Sequence, residues 1–399
     1  MSTTTTNADG SAYGRPKGQT NKLLTETGPG TPCGEMLRRY WHPIAISAEL
    51  TSERPQEVRI MSEDLVLFRD KTGKAGLLHS RCNHRGTSLY FGRVEDRGLR
   101  CCYHGWLFDT QGNCLDQPCE VEGGKNRQNY RQPWYPVQER YGLIFAYMGP
   151  SAKKPILPRY DILEGADEYE VHIGGWGSAN DHSIKCVPHN FFNMMDNMMD
   201  PFHVFILHST MTGIQFAPEF AKMPKIAFSA TDTGLAHTSS RRLDDGRIYE
   251  RIVTVPFPNA LSVPPITLNA GPSTSLTWVV PIDDTHYIHV LCAKKQDKPE
   301  YPNVIDRNIN KSWGQMTPQE RRDYPRDYEA LAGQGLFSLH SEEHLAGSDQ
   351  GVVMQRRLFQ RQIEIVQKGG DPINLIFDPK DELVKVGAFN YYPNAEAAE

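Results

Sequence analysis

The chain has 399 residues, with 43 Lys plus Arg against 48 Asp plus Glu and a formal net charge of −5. That balance leaves no electrostatic footprint for nucleic acid, and no apolar run is long enough for a membrane-spanning helix. The length allows two domains with substantial cores, and the eight cysteines show no disulfide framework; six of them, Cys33, Cys102, Cys114, Cys119, Cys186 and Cys292, read as reduced thiols of a cytoplasmic protein.

Taken in chain order, residues 1–26 are polar, lack the apolar stretch of a signal peptide, and are expected to form a disordered lead-in. A short amphipathic helix is expected over 34–40, opened by Thr31-Pro32 and ended by Trp41-His42-Pro43. From 44 to about 149 the pattern is short strands broken by turns, including Asp109-Thr110-Gln111-Gly112. Prolines mark a linker over 151–158. A helical stretch rich in Phe and Met is expected within 182–212. Hairpins follow, one turning at Asp244-Asp245-Gly246 and one over 281–285. A last helical stretch, 342–367, stops before Gly369-Gly370. Strands and helices in separate runs indicate α+β architecture with an antiparallel sheet. The expected division is an N-terminal arm with an all-β domain over 27–160 and a second domain over 161–399.

Two segments carry metal-ligand chemistry. The first is Cys82-Asn83-His84 with Cys101-Cys102-Tyr103-His104. Each half offers one thiolate and one imidazole. Structural zinc also takes Cys and His, but common zinc fingers put both cysteines in one knuckle and both histidines in the other. Mixed knuckles fit a Rieske [2Fe–2S] cluster, in which two cysteines hold one iron and two histidines the other. The expected cluster ligands are Cys82, His84, Cys101 and His104.

The second segment runs from Asp196 through Asn197, Asp200 and His203 to His208. Two histidines and a carboxylate suit a mononuclear iron site with open positions. On a regular helix, positions i and i+5 lie about 140° apart. His203 and His208 therefore share a metal only if the helix widens or breaks between them, as a π-bulge does. The bland alternative is two ordinary histidines on a buried helix.

With both segments in hand, the chain resembles the α subunit of Rieske non-heme iron oxygenases from about residue 27 onward. The resemblance rests on residues 28–31, 37–43 (LRRYWHP), both knuckles, 141–144 (YGLI), and the spacing Asn197-x2-Asp200-x2-His203-x4-His208. It is most similar to the α-only branch that includes phthalate, phenoxybenzoate and vanillate-type oxygenases and O-demethylases. The resemblance implies an all-β Rieske domain followed by a helix-grip (START-like) catalytic domain with a curved antiparallel sheet. It implies a lower-potential cluster, since Thr87 and Tyr103 stand where high-potential Rieske proteins carry a second cysteine pair. It implies a third iron ligand at Asp349, within Glu343-His344-Leu345-Ala346-Gly347-Ser348-Asp349, with Glu342 and Glu343 as alternatives. Asp200 then bridges His203 and a neighbouring subunit's cluster histidine, most naturally His104, in a homotrimer without β subunits. Electrons from NADH or NADPH arrive through a separate flavin/[2Fe–2S] reductase, with or without a ferredoxin. Two departures stand out: Cys102 replaces the family's usual proline, and residues 189–193 (HNFFN) match only loosely.

The implied activity is O2 activation at a mononuclear Fe(II), fed by the cluster, to dihydroxylate an aromatic carboxylate. O-demethylation or ether cleavage of an aryl ether would use the same site. A Rieske electron carrier without oxygenase chemistry would need no second metal. Asn197, Phe202 and Ile206 are the expected substrate-facing residues. Phe205, Met211, Val263, Leu276 and Trp278 could line an apolar pocket or simply be core. Arg241, Arg242, Arg247 and Arg251 offer guanidinium groups for a carboxylate, although an exposed hairpin accounts for at least two of them.

Overall fold

Short runs of alternating apolar residues between 41 and 147 form three small antiparallel sheets in the computed structural model, which describes residues 14, 16–174, 185–211, 213–295, 309–311 and 313–393. The first sheet pairs β1 (Trp41–Ile46) with β11 (Leu143–Tyr147), which also pairs with β10 (Val137–Arg140). The second has the order β2 (Gln56–Ile60), β3 (Glu63–Arg69), β4 (Ala75–His79), β9 (Trp134–Tyr135). The third has the order β5 (Arg93–Glu95), β6 (Gly98–Arg100), β7 (Leu107–Phe108), β8 (Cys114–Asp116). A core of Phe68, Leu78, Leu89, Leu99, Trp106 and Phe108 closes around Cys82 and Cys101.

The second half is built on two antiparallel sheets. One has the order β13 (Tyr169–Gly174), β20 (His286–Lys294), β19 (Ser275–Asp283), β17 (Ala260–Leu261). The other has the order β14 (Lys225–Thr231), β15 (Gly234–Arg242), β16 (Ile248–Pro256), β22 (Phe389–Tyr391), β18 (Gly271–Pro272). Reciprocal backbone bonds between Thr254 and Ser262, at 3.2 and 2.9 Å, stitch them into one curved surface. The β15–β16 turn falls where the sequence places it. Gly246 there has φ 86°, a conformation that costs glycine least.

Helix α7 (Gln350–Gln367) lies in this curve and buries Val352, Gln355, Phe359, Gln362 and Ile363 at helical spacing. Phe359 meets Phe192 and Phe257 at centroid distances of 5.0 and 4.9 Å. Burial of Phe359 and Ile363 contributes roughly 2 kcal/mol each. Gly351 permits the close approach of α7, because a Cβ there would sit 2.1 Å from the Met199 carbonyl oxygen.

Helix α3 (Phe191–Met198) is capped by Asn190, whose side chain accepts from Phe192 N at 2.9 Å. The chain then breaks at Asp200-Pro201. Helix α4 (Phe202–Phe205) runs on into a π-helix, Ile206–Met211. The expected continuous stretch is thus two helices; residues 182–184 and 212 of that expectation lie outside the described residues. The final helix is also shorter than expected, with two 3-10 turns, His340–Glu342 and Gly347–Asp349, ahead of it.

The N-terminal lead-in differs from expectation near its end. Residues 1–13 and 15 lie outside the described residues, but Lys22–Thr25 form α1, capped by Asn21, with Leu24 fully buried. Helix α2 (Pro32–Leu37), capped by Thr31, packs on α7 of the second half.

The two halves share one core. The β2–β3 turn docks on β19, with Met61 N donating to Pro281 O at 2.9 Å and Ser62 N to Ile282 O at 2.8 Å. Arg38, 4 % exposed, ties the junction by donating to Thr27 O, Met61 O and Glu63, each at 2.9 Å. Phe145 of β11 meets Trp278 of β19 edge-on at 5.7 Å.

Candidate functional site

Both knuckles are the same turn made twice. Cys82 N donates to Thr87 O at 2.9 Å and Gly86 N to Cys82 O at 2.8 Å. Cys101 N donates to Trp106 O at 2.8 Å and Gly105 N to Cys101 O at 3.1 Å. Gly86 and Gly105 close the turns at φ 77° and 73°, where a side chain would be strained. The turns bring the two thiols into hydrogen-bond contact, and amide N–H groups of His84 and Arg85 point at Cys82 Sγ, those of Tyr103 and His104 at Cys101 Sγ. The Cys82 thiol donating to Cys101 holds the latter at about 6, against burial, with the amides adding to the effect. Cys82 is correspondingly raised. One thiol is therefore already poised as thiolate, the form a metal binds.

The rings of His84 and His104 stand 4.5 Å apart, and His84 stacks on Trp106 at 4.6 Å with an interplanar angle of 1°. Two sulfurs within and two imidazoles at the rim are a donor set that fits a Rieske cluster. Sequence reasoning missed what holds the first loop. Gln132, fully buried, accepts from Asn83 N at 2.7 Å and donates to His79 O and Arg81 O, each at 2.8 Å. Arg100 does the same for the second loop through Gly105 O and Asp116.

The second site stands at the mouth of the α3–α4 break. The π-helix brings His208 round to His203, so that their ring centroids are 5.3 Å apart. The carboxylate between them is Asp327, the first residue of α6 (Asp327–Gly333). Its Oδ1 lies 3.3 Å from His203 Nε2 and its Oδ2 3.0 Å from His208 Nε2. These three donor atoms lie within 4.8 Å of one another, a separation one metal ion can bridge. Burial works against charge on both His203 and Asp327, yet their mutual contact wins. His203 is raised, and Asp327 is held well below the usual carboxylate range by His208 and His203.

Each imidazole is aimed by its other nitrogen. His203 Nδ1 donates to the Asp200 backbone carbonyl, and His208 Nδ1 to Gln215 Oε1 at 2.8 Å. Both Nε2 atoms are thereby left for a metal. Asn197 Nδ2 donates to Asp327 Oδ1 at 3.2 Å. The Asp200 carboxylate takes Phe202 N at 3.2 Å and stands 4.0 Å from His203 Nδ1, with its side chain 35 % exposed.

The triad forms one wall of a cavity of about 240 Å³. Met194, Met198, Val204, Phe216, Leu261 and Val263 make it largely apolar. His237, Ser239 and Arg241 of β15 and Arg251 of β16 form its polar side. They share one face because side chains alternate along a strand and Ser239 pairs with Arg251.

Three expectations need correction. Asp349 does not join the histidines. It stands at the N-terminus of α7, where the dipole favours a carboxylate, and its side chain accepts from Ala346 N at 2.7 Å in the preceding turn. Of its alternatives, Glu343 is bound by Arg356, which also holds Asp196, at 3.0 and 3.1 Å. Asp196, Glu343 and His340 form a second ligand-type cluster, but this guanidinium already supplies its cation. Glu342 likewise lies outside the triad. Phe202, at the start of α4, and Ile206, at the start of the π-helix, do not line the cavity, and Ile206 is 45 % exposed. Asn197 does line it, though its amide is engaged with Asp327. Phe205 and Met211 are also off the wall, Val263 is on it, and Leu276 and Trp278 are core. The arginines divide as well: Arg242 and Arg247 are exposed, Arg241 and Arg251 buried.

A family model described as "Rieske [2Fe-2S] domain" matches residues 40–136. The chain is 50% identical to the α subunit of phenoxybenzoate dioxygenase from Ectopseudomonas oleovorans, over 98% of this chain and 96% of that protein. It is 33% identical to the 5,5'-dehydrodivanillate O-demethylase oxygenase subunit from Sphingobium sp., over 90% and 83% of the two chains. Among solved structures it superposes on NdmA of Pseudomonas putida CBB5 with caffeine at a TM-score of 0.63 and 18% identity, covering 87% of this chain and 98% of that one.

Proposed function

From the premise that this chain belongs to the Rieske non-heme iron oxygenase α-subunit family, we propose that it oxidises an aromatic carboxylate in the 240 Å³ cavity beside His203, His208 and Asp327. The carrying observation is the triad itself, exposed to a mostly apolar cavity in a chain that also holds the Cys/His knuckles. An electron carrier has no use for such a cavity. His203, His208 and Asp327 would hold the iron and Cys82, His84, Cys101 and His104 the cluster, and the two groups together would supply reductive O2 chemistry.

The protein's part is placement. Gln215 and the Asp200 carbonyl fix the two imidazoles, and Asn197 fixes Asp327. One carboxylate and two imidazoles on one side leave the cavity side open. The apolar walls exclude water and hold a planar ring over that opening. Dihydroxylation is the first reading, since the relative at 50% identity is named a dioxygenase. O-demethylation is the second, from the relative at 33% identity named an O-demethylase.

The same reading takes the chain as a homotrimer in which Asp200 links His203 to His104 of an adjacent copy. Support comes from the partly exposed Asp200 side chain and from the exposed tip around the cluster, where Phe91 is 68 % and Tyr103 57 % exposed. A reductase, with or without a ferredoxin, supplies electrons from NADH or NADPH. A cytoplasmic location fits eight cysteines that are all unpaired; no helix among the described residues is long and apolar enough to cross a membrane.

The test is iron analysis with product analysis. Protein reconstituted with iron, a reductase and NADH is offered aryl carboxylates and aryl ethers. Expected are a mononuclear iron besides the two of the cluster, and substrate-dependent O2 uptake yielding a diol, or a phenol with formaldehyde. Cluster iron alone, with no uptake over the panel, would make it an electron carrier.

A further inference from the structure

The β15–β16 wall buries two guanidinium groups where a neutral hydrophobic substrate would need none. Arg241 is 3 % exposed and Arg251 6 %. Arg251 is anchored: it donates to Pro265 O at 2.5 Å and Asn390 Oδ1 at 3.3 Å. Arg241 is not held in that way. Its Nε donates to Lys222 O at 3.2 Å and its guanidinium lies over the Phe220 ring at 4.9 Å, but its Nη1 is buried with no hydrogen-bond partner. No carboxylate forms an ion pair with Arg241 among the described residues. Its charged neighbour is Arg251, of like sign. Burial, and then this neighbour, lower Arg241 to about 10, so it stays cationic at neutral pH.

A buried, uncompensated cation is costly unless something pairs with it. The described residues supply Arg241 with no anion, and the side chain lines the same cavity as His203, His208 and Asp327. The strand sets the spacing. His237, close enough to His203 to feel its charge, and Arg241 lie on one face of β15. Their backbones are four residues, or about 13 Å, apart.

We propose that Arg241 is the receptor for the carboxylate of an aryl carboxylate, with its acid group on the β15–β16 wall and its ring directed toward His203, His208 and Asp327. The proposal rests on the cavity being the substrate site. Nη1 and Nη2 present the paired donors that match a carboxylate's two oxygens, and Arg251 adds positive potential from the next strand. Arg241 is thus a specificity residue: it selects acids over neutral rings of the same shape.

Equilibrium binding tests this without turnover, so it can fail while the oxygenase reading stands. The full-length protein, reconstituted with cluster and iron, is titrated calorimetrically with one-ring and two-ring aryl carboxylates and with the primary amide of each. Native protein is expected to bind at least one acid about 30-fold more tightly than its amide. Arg241→Met should erase that preference by weakening the acid alone, and Arg241→Lys should restore part of it. The cluster's visible spectrum and the melting temperature report whether each variant is folded. If native protein shows no acid-over-amide preference across the panel, the proposal is wrong, whatever the variants do. If folded Arg241→Met keeps the preference, the receptor lies elsewhere.

Discussion

Each knuckle assembles its cysteine and histidine within a single turn, whereas the candidate iron triad draws two side chains from α4 and its π-helical extension and the third from the distant start of α6. In the knuckles, spacing and chemistry are one fact: a turn closed by Gly86 or Gly105 sets where the thiol and the ring stand. In the triad the local spacing is awkward, and tertiary packing completes the set. A ligand set written into one turn survives being read alone. A set completed by packing is visible only once the chain is folded.

The sharpest way to break this contrast is at Asp327. Asp327→Ala should lower turnover by roughly 1,000-fold or more by removing a metal ligand, with mononuclear iron lost and the cluster's visible spectrum unchanged. Loss of cluster colour in the folded variant would show that the two sites do not have separate ligands.

His84→Cys tests the other half. An added thiolate brings negative charge to the cluster, so the variant should keep a [2Fe–2S] centre with a potential lower by roughly 100 mV or more. Redox titration monitored by EPR gives the number, and an unshifted potential in a variant with intact cluster would remove His84 from the ligand set.

The link proposed between the sites, Asp200, is next. Asp200→Asn keeps shape and loses charge, and it replaces one of the two accepting oxygens, which could each take an imidazole N–H, with an NH2 donor. In single-turnover mixing with substrate and O2, its cluster should reduce normally and reoxidise about 10-fold more slowly or worse. Reoxidation at the parent rate would leave Asp200 as a cap on Phe202 N and nothing more.

Gln215→Leu should be milder, weakening iron retention by about 10-fold, because His208 loses the acceptor that sets its tautomer. Competition with a chelator measures it. Asp349→Ala should move neither iron content nor turnover, since its carboxylate serves the turn before α7.

Much of this was legible in the chain. The knuckles, the two hairpins and the need for a widened helix between His203 and His208 all follow from local rules, and the π-helix meets that need; the break at Asp200-Pro201 was not expected. The third member of the candidate triad did not follow. Asp327 sits in a short polar helix whose acidic first turn looks like ordinary capping, and Asp349 carries the same signature more plainly. A hint was present in Pro325, which marks the break before the helix that Asp327 starts. The arginine pair was equally ambiguous. Four arginines on one hairpin cannot be sorted by type, only by strand parity, and parity is set by the register of β15 against β16. Phe202 and Ile206 failed for a related reason: proximity to ligands in sequence does not fix which way a side chain points.

The seam between the halves bears on anyone who would exchange parts. Met61 and Ser62 hand their amides to Pro281 and Ile282, and Arg38 clasps Thr27 to the same turn. A foreign cluster-bearing half, grafted at the proline-marked stretch to alter redox behaviour, would arrive with its own loop at this point and none of these handshakes. The safe graft carries the β2–β3 turn, Arg38 and the Pro281–Ile282 edge together, so the useful cutting points are not those the linear sequence advertises.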